Sequence, residues 1–265
     1  VGAALLATLV CMGVRFASGD SLESNGISRE SVNSIALYLT AILLVAAVVA
    51  LAFFFGRKDK KGFDTKSITY AAICIAMSFA LSYLRIVKMP QGGSITLASL
   101  LPLMIYSYMF GTKKGVFAGM IYGLLQALQD TYILHPAQFV LDYPLAFAGI
   151  GLAGMFAKTK ALEKLPQLQF ALGAVVAGVA RFLMHFLSGI FAFGAFAPEG
   201  TPVALYSLGY QAAYVFPDIV IAIAAGVLVF SSKSFVKAVK KFNASKDSAQ
   251  AVTQTAAQTS GENVR

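Results

Sequence analysis

The sequence predicts an all-α integral membrane protein, and three observations carry that prediction. First, 58% of the 265 residues are hydrophobic and 12% are charged, against about 45–50% and about 25% in soluble domains. Second, apolar windows recur at or near the roughly 20 residues that a helix needs to cross a bilayer core. Third, the net charge of +9 is concentrated in short segments between those windows, the pattern of cytoplasmic loops. A soluble enzyme, a disordered chain and a secreted disulfide module are disfavoured. A nucleic-acid binder is disfavoured too, because no basic stripe with interleaved aromatics could track a phosphate backbone.

The elements follow in order. Residues 3–16 are apolar but short, and read as part of a span or the end of a signal-like segment with no basic n-region. Residues 17–34 form a polar loop and 35–56 a clear span, so one or two extra transmembrane segments occupy 1–60. Six further windows lie near 67–87, 94–110, 115–130, 138–157, 170–197 and 203–230, giving a membrane domain over 61–241. Placing RKDKK (57–61) inside also places GTKKG (111–115), KTKALEK (158–164) and KSFVKAVKK (233–241) inside. The outer loops then hold Arg85 and Lys88 as cations, with Glu199. Residues 242–265 read as a disordered cytoplasmic tail, rich in Ala, Ser, Thr and Gln. No internal repeat is evident, which disfavours an inverted-repeat transporter.

Several motifs have bland explanations. Gly149, Gly151 and Gly154 match GxGxxG but sit inside an apolar helix, where small residues permit close helix packing; a dinucleotide site would need a preceding strand. Gly115, Gly119 and Gly123 have the same packing explanation. Cys11 and Cys74 read as buried thiols. No Walker A, HExxH or GxSxG sequence occurs, so neither ATP binding, a metal site nor a catalytic function is expected.

Ionisable groups at membrane depth are functional candidates by default. Asp142, Arg181, His185 and Asp218 stand out, with an Arg181–Asp218 structural pair as the alternative for those two. Arg181 and His185 share one helix face at i,i+4. Around them collect Tyr132, Tyr143, Phe182, Phe186, Phe193, Tyr206, Tyr210 and Tyr214. An acid among aromatic rings suits a small, flat organic cation, through charge neutralisation and cation–π attraction.

The stretches MPQGGSITLASLLP (89–102), FGTKKGVFAGMIYGLLQ (110–126), HPAQFVLDYPLAFAGIGLAG (135–154), RFLMHFLSGIFAF (181–193) and YSLGYQAAYVFPD (206–218) together resemble the thiamine-specific substrate-binding (S) components of energy-coupling factor (ECF) transporters. The resemblance spans about 67–230. It implies a six-helix bundle in the bacterial plasma membrane that captures thiamine from outside, with no cofactor of its own. A transmembrane coupling subunit and two cytosolic ATPases would drive release, ATP being bound by those partners alone. It also implies ligand contacts from Asp142, Tyr143, His185, Gly189, Tyr132 and Tyr206. Two positions depart from the family pattern: Gln211 where Asn is usual, and Phe193 where some members have Trp. Tyr206 and Gln211 are five apart and do not share a regular helix face, so either the helix start is irregular or Tyr210 replaces one of them. Ala72, Ala76 and Ala80 form a small-residue stripe, which the resemblance implies is the docking face for the coupling subunit. Within transport, the alternatives are an S component for another vitamin or thiamine precursor, and a stand-alone proton-coupled permease.

Overall fold

A computed structural model describes residues 62–242 except 131, 133 and 135, together with the isolated positions 46, 50 and 54. Apart from those three isolated positions, the expected N-terminal segments lie outside the described residues, as does the tail over 243–265. The expected six-helix membrane domain is present, and it carries one short β-hairpin.

Helix α1 (Thr65–Leu81) starts at Asp64, whose backbone N–H donates to the Ser67 hydroxyl at 3.1 Å. Its inward face is narrow, with Ser67, Ile75 and Ser78 buried while Ile68, Ile73 and Met77 are exposed. A helix so apolar on its outer side is stable there only against lipid or a partner.

The expected helix over 94–110 needs correction. Residues Arg85–Lys88 (β1) and Ser94–Thr96 (β2) form an antiparallel hairpin, and helix α2 spans only Leu101–Phe110. The reason lies in the turn: Gly92 and Gly93 take φ of +87° and +84°, a region open to glycine at little cost. Space adds to the demand at Gly93, where a Cβ would lie 2.6 Å from the Tyr214 ring. Gly111, at φ +95°, separates α2 from α3 (Thr112–Gln129).

Helix α4 runs as four consecutive helical pieces: Pro136–Val140, Leu141–Leu145, Ala146–Ile150 and Gly151–Gly154. Pro144 has no N–H to donate one turn back. The backbone widens into a π turn there, with the Ala146 N–H reaching the Leu141 carbonyl. Such turns re-aim side chains and are frequent at functional sites; this one carries Asp142 and Tyr143. The glycines of α3 face α4, since a Cβ on Gly119 would collide with the Phe147 carbonyl and one on Gly123 with the Tyr143 carbonyl. The GxGxxG glycines also serve close packing. Gly151 lies against the backbone of Val116, and the Ser107 hydroxyl donates to the Gly151 carbonyl while accepting the Gly154 N–H.

Helices α5 (Pro166–Ala192) and α6 (Val203–Ser231) have 27 and 29 residues, about 40 Å each at 1.5 Å per residue. They pack along much of their length, and Phe170, Ala174, Ala177, Met184, Val215 and Ala222 are fully buried in the core. Both, together with Ala137–Gly154 of α4, are long and apolar enough to cross a membrane. A further helix, α7, covers 233–242.

The chain order places the hairpin, the α3–α4 loop and the α5–α6 loop at one end. The α2–α3 junction, the α4–α5 loop and α7 gather at the other. Lys113, Lys114, Lys158, Lys160, Lys164, Lys233, Lys237, Lys240 and Lys241 all fall at this second end. By the positive-inside rule it faces the cytoplasm, and the hairpin end faces out. Asp64 belongs to the inner end. Partial burial pushes its carboxyl up, but hydrogen bonds from Ser67 and Lys114 and the Lys114 charge prevail and hold it at about 2.

Candidate ligand-binding site

A cavity opens at the outer end, between the hairpin, the end of α3, the start of α4, the end of α5 and the outer half of α6. Counted out to its open mouth, it measures about 720 Å³.

The ion pairs of its wall set its character. Arg181 Nη1 lies 2.6 Å from Asp218 Oδ2, and both side chains are buried. Asp218 Oδ1 accepts the Thr96 N–H at 2.9 Å and the Thr96 hydroxyl at 2.7 Å. The broken ladder at Pro217 thus leads to a carboxylate that ties α6 to α5 and to β2. At the mouth, Asp130 takes Arg85 at 2.7 Å and Lys88 at 3.2 Å. Asp142 differs, because its partner is His185, with Nδ1 2.8 Å from Oδ1. Of the three carboxylates lining the cavity, only Asp142 lacks an Arg or Lys partner among the described residues. A buried carboxylate without a permanent positive partner favours a cationic visitor.

Aromatic rings line the same cavity, in a chain that ends on His185 beside that carboxylate. Tyr132 and Phe193 are 6.1 Å apart by centroid, Phe193 and Tyr210 6.1 Å, Tyr210 and Tyr214 6.1 Å, and Tyr214 and His185 5.7 Å. Hydrogen bonds fix several of these rings. The Tyr143 hydroxyl donates to the Asp130 carbonyl at 2.9 Å and accepts the Tyr132 N–H at 3.0 Å. The Tyr210 hydroxyl donates to the Gly92 carbonyl at 3.0 Å and accepts the Gln91 N–H at 2.9 Å. Gln138 pins the α3–α4 loop by accepting the Leu134 N–H at 2.7 Å and donating to the Tyr132 carbonyl at 2.8 Å.

The residues singled out in the sequence fall into three groups. Asp142, Tyr143, Tyr132, Phe193 and Gln211 line the cavity. His185 stands behind Asp142, 6% exposed, and Gly189 lies under α6, where a Cβ would strike the Ser207 hydroxyl and come within 3.1 Å of Gln211 Nε2. Tyr206 is absent from the wall; it packs on Tyr210 at 6.0 Å, and Tyr210, Gln211 and Tyr214 are the α6 residues of that wall's upper part. Gln211 Oε1 and His185 Nε2 are buried without a protein partner, leaving polar atoms for a ligand or water to satisfy.

Other wall residues went unread as site candidates in the sequence: Thr96, Gln126, Asp130, Gln138 and Tyr122. Asp130 alone left a signal, as an acid ending an apolar helix opposite the cations Arg85 and Lys88. Among the described residues, no three His, Cys, Asp or Glu side chains gather as a metal site.

Comparison with known proteins agrees with this architecture. Residues 68–237 match the family model described as thiamine transporter protein (Thia_YuaJ). Thiamine transporter ThiT of Bacillus subtilis is 37% identical over 150 residues, covering 54% of this chain and 78% of the relative. The protein of the same name from Lacticaseibacillus paracasei is 28% identical over 177 residues, covering 61% and 86%. The solved structure of ThiT from Listeria monocytogenes superposes with a TM-score of 0.56 at 24% identity, covering 63% of this chain and 94% of that one, a likeness of fold. With the family match extending over more than half of its length, this chain belongs to the thiamine transporter protein family.

Proposed function

We propose that this protein is the membrane-embedded substrate-binding subunit of a thiamine uptake system, residing in a bacterial plasma membrane. Two of its relatives are named as thiamine transporters of bacteria, and the family is one of transporters rather than enzymes. The observation that carries the reading is Asp142, a lining carboxylate held by a histidine rather than by a fixed cation, within a ring of aromatic side chains. Thiamine joins a permanently cationic thiazolium to a flat aminopyrimidine. The carboxylate neutralises the first, and Tyr132, Phe193, Tyr210 and Tyr214 offer faces to both rings. Gln211 Oε1 is an acceptor suited to the pyrimidine amine.

Delivery inward would draw on an ECF module, a transmembrane coupling subunit with two cytosolic ATPases. The support is that Ala72, Ala76 and Ala80 are all exposed on α1, so this small-residue stripe is not used for packing inside the described chain. Close backbone approach along such a stripe is how helices associate in lipid. The deciding experiment is calorimetric titration of the purified protein with thiamine, followed by uptake in proteoliposomes with and without the coupling subunit and ATPases. Stoichiometric binding with uptake only in the assembled, ATP-supplied system is expected. Uptake by the chain alone, driven by a proton gradient, would replace this reading with that of a permease.

A further inference from the structure

A second cavity lies at the lysine-rich inner end, bounded by the end of α2, the α4–α5 loop, the start of α5 and the α6–α7 junction. It encloses about 1210 Å³ counted out to its mouth. Its floor is apolar, built on Met109, Phe230, Val236 and Val239, with Phe230 held between Phe170 at 4.8 Å and Tyr108 at 4.6 Å by centroid. Its rim carries Lys158, Lys160 and Lys240 against one carboxylate, Glu163. The rim is anchored: the Tyr108 hydroxyl donates to Gln169 Oε1 at 2.7 Å, and Gln169 Nε2 donates to the Thr159 carbonyl at 3.0 Å. Gln169 is itself buried, so the loop bearing two of the lysines is tied to both α2 and α5.

We propose that this groove holds one anionic phospholipid of the cytoplasmic leaflet, with its phosphate between Lys160 and Lys240 and an acyl chain over Met109 and Val236. The place in the fold supplies the argument. At this end of the bundle the groove sits at headgroup depth, where an apolar floor meets acyl chains and lysines stretch toward the polar layer. Basic pockets between helices on the cytoplasmic side are recurrent sites for anionic headgroups. A zwitterionic lipid brings its own ammonium to the side of Lys160 and Lys240, so the groove selects against it. Free phosphate shares the anion but makes no use of the apolar floor.

The test uses the full chain in neutral detergent, offered equal amounts of phosphatidylglycerol and phosphatidylcholine and examined by native mass spectrometry. Phosphatidylglycerol adducts should exceed phosphatidylcholine adducts roughly tenfold, and the double variant Lys160→Gln/Lys240→Gln should erase that preference. Lys164→Gln, beside the groove but not lining it, should keep it. Val236→Trp, which fills the floor and leaves the lysines in place, should also lose the lipid, so an unfolded double variant would not leave the idea untested. Equal retention of both lipids, or displacement of phosphatidylglycerol by millimolar inorganic phosphate, overturns the proposal. So does a double variant that keeps its lipid but no longer assembles with a protein partner. The outcome is independent of thiamine, whose binding at the far end should be unchanged in every variant.

Discussion

Replacing Asp142 with Asn removes the charge at the centre of the outer cavity while preserving shape. The amide oxygen can still accept from His185 Nδ1, so the 2.8 Å contact and the fold around it should persist. The Asp142 side chain is 13% exposed and that of His185 7%, so the charge is largely desolvated and an interaction with a cation is little screened. Truncating one member of a buried charge pair costs about 2–5 kcal/mol. At about 1.4 kcal/mol per tenfold, the lower half of that range corresponds to a loss of roughly a hundredfold in thiamine affinity. The partial exposure and the remaining aromatic contacts argue for that lower half. Isothermal titration on wild type and Asp142→Asn gives the number. A neutral analogue, in which thiophene replaces the thiazolium, isolates the charge: wild type should bind it far more weakly than thiamine, and the variant should scarcely distinguish the two. Because the thiazolium charge is permanent, the loss should appear at every pH where the protein is folded. Binding within threefold of wild type by a monodisperse variant, or undiminished discrimination between thiamine and the analogue, would refute the assignment of Asp142 as the cation's partner.

Four further outcomes are expected. Ala76→Trp should leave thiamine binding to the isolated protein intact while abolishing assembly with a coupling subunit and ATP-driven uptake; retained uptake would place the docking face elsewhere. A chain beginning at Lys61 should bind thiamine as the full chain does, and failure to bind while monodisperse would make the N-terminal segments part of the site. Arg181→Met strands Asp218 inside the bundle and should cost about 3–5 kcal/mol, read as a lowered Tm in detergent, with Arg181→Met/Asp218→Leu recovering much of it; an unchanged Tm for the single variant would contradict the pairing seen here. The Asp64 carboxyl is held at about 2, below the ordinary carboxylate range, so its contribution is present above that range and is lost as pH falls toward 2. Acid melting of wild type and Asp64→Asn should therefore converge at low pH, and curves that stay parallel would exclude the linkage.

Composition and charge placement sufficed for much of this. Windows of about 20 apolar residues admit few structures in lipid, because a backbone without water must satisfy its own polar groups. Lysine placement then orients the bundle, and the cavity lies at the end that this assigns to the outside. The candidate acid was legible for a related reason: a carboxylate at membrane depth is costly enough that its presence alone marks it. The same reasoning marked His185, whereas the resemblance carried Gly189 and Gln211, whose chemistry alone would not have singled them out.

Tertiary structure decided what depends on contacts between distant segments. The window 94–110 reads as one apolar helix, yet its first residues form a strand, because positive-φ glycines turn the chain and Asp218, 122 residues away, captures Thr96. Pairing choices were legible only in part: the sequence offered the Arg181–Asp218 pair as one alternative, but not that Arg85 claims Asp130 and leaves Asp142 to a histidine. On α6, helical rotation puts Tyr210 and Tyr214 rather than Tyr206 on the wall with Gln211. Hydrophobic pattern is a property of neighbours along the chain, so the sequence displays it directly. Charge pairing and cavity walls are properties of neighbours in space, and they exist only once the helices have packed.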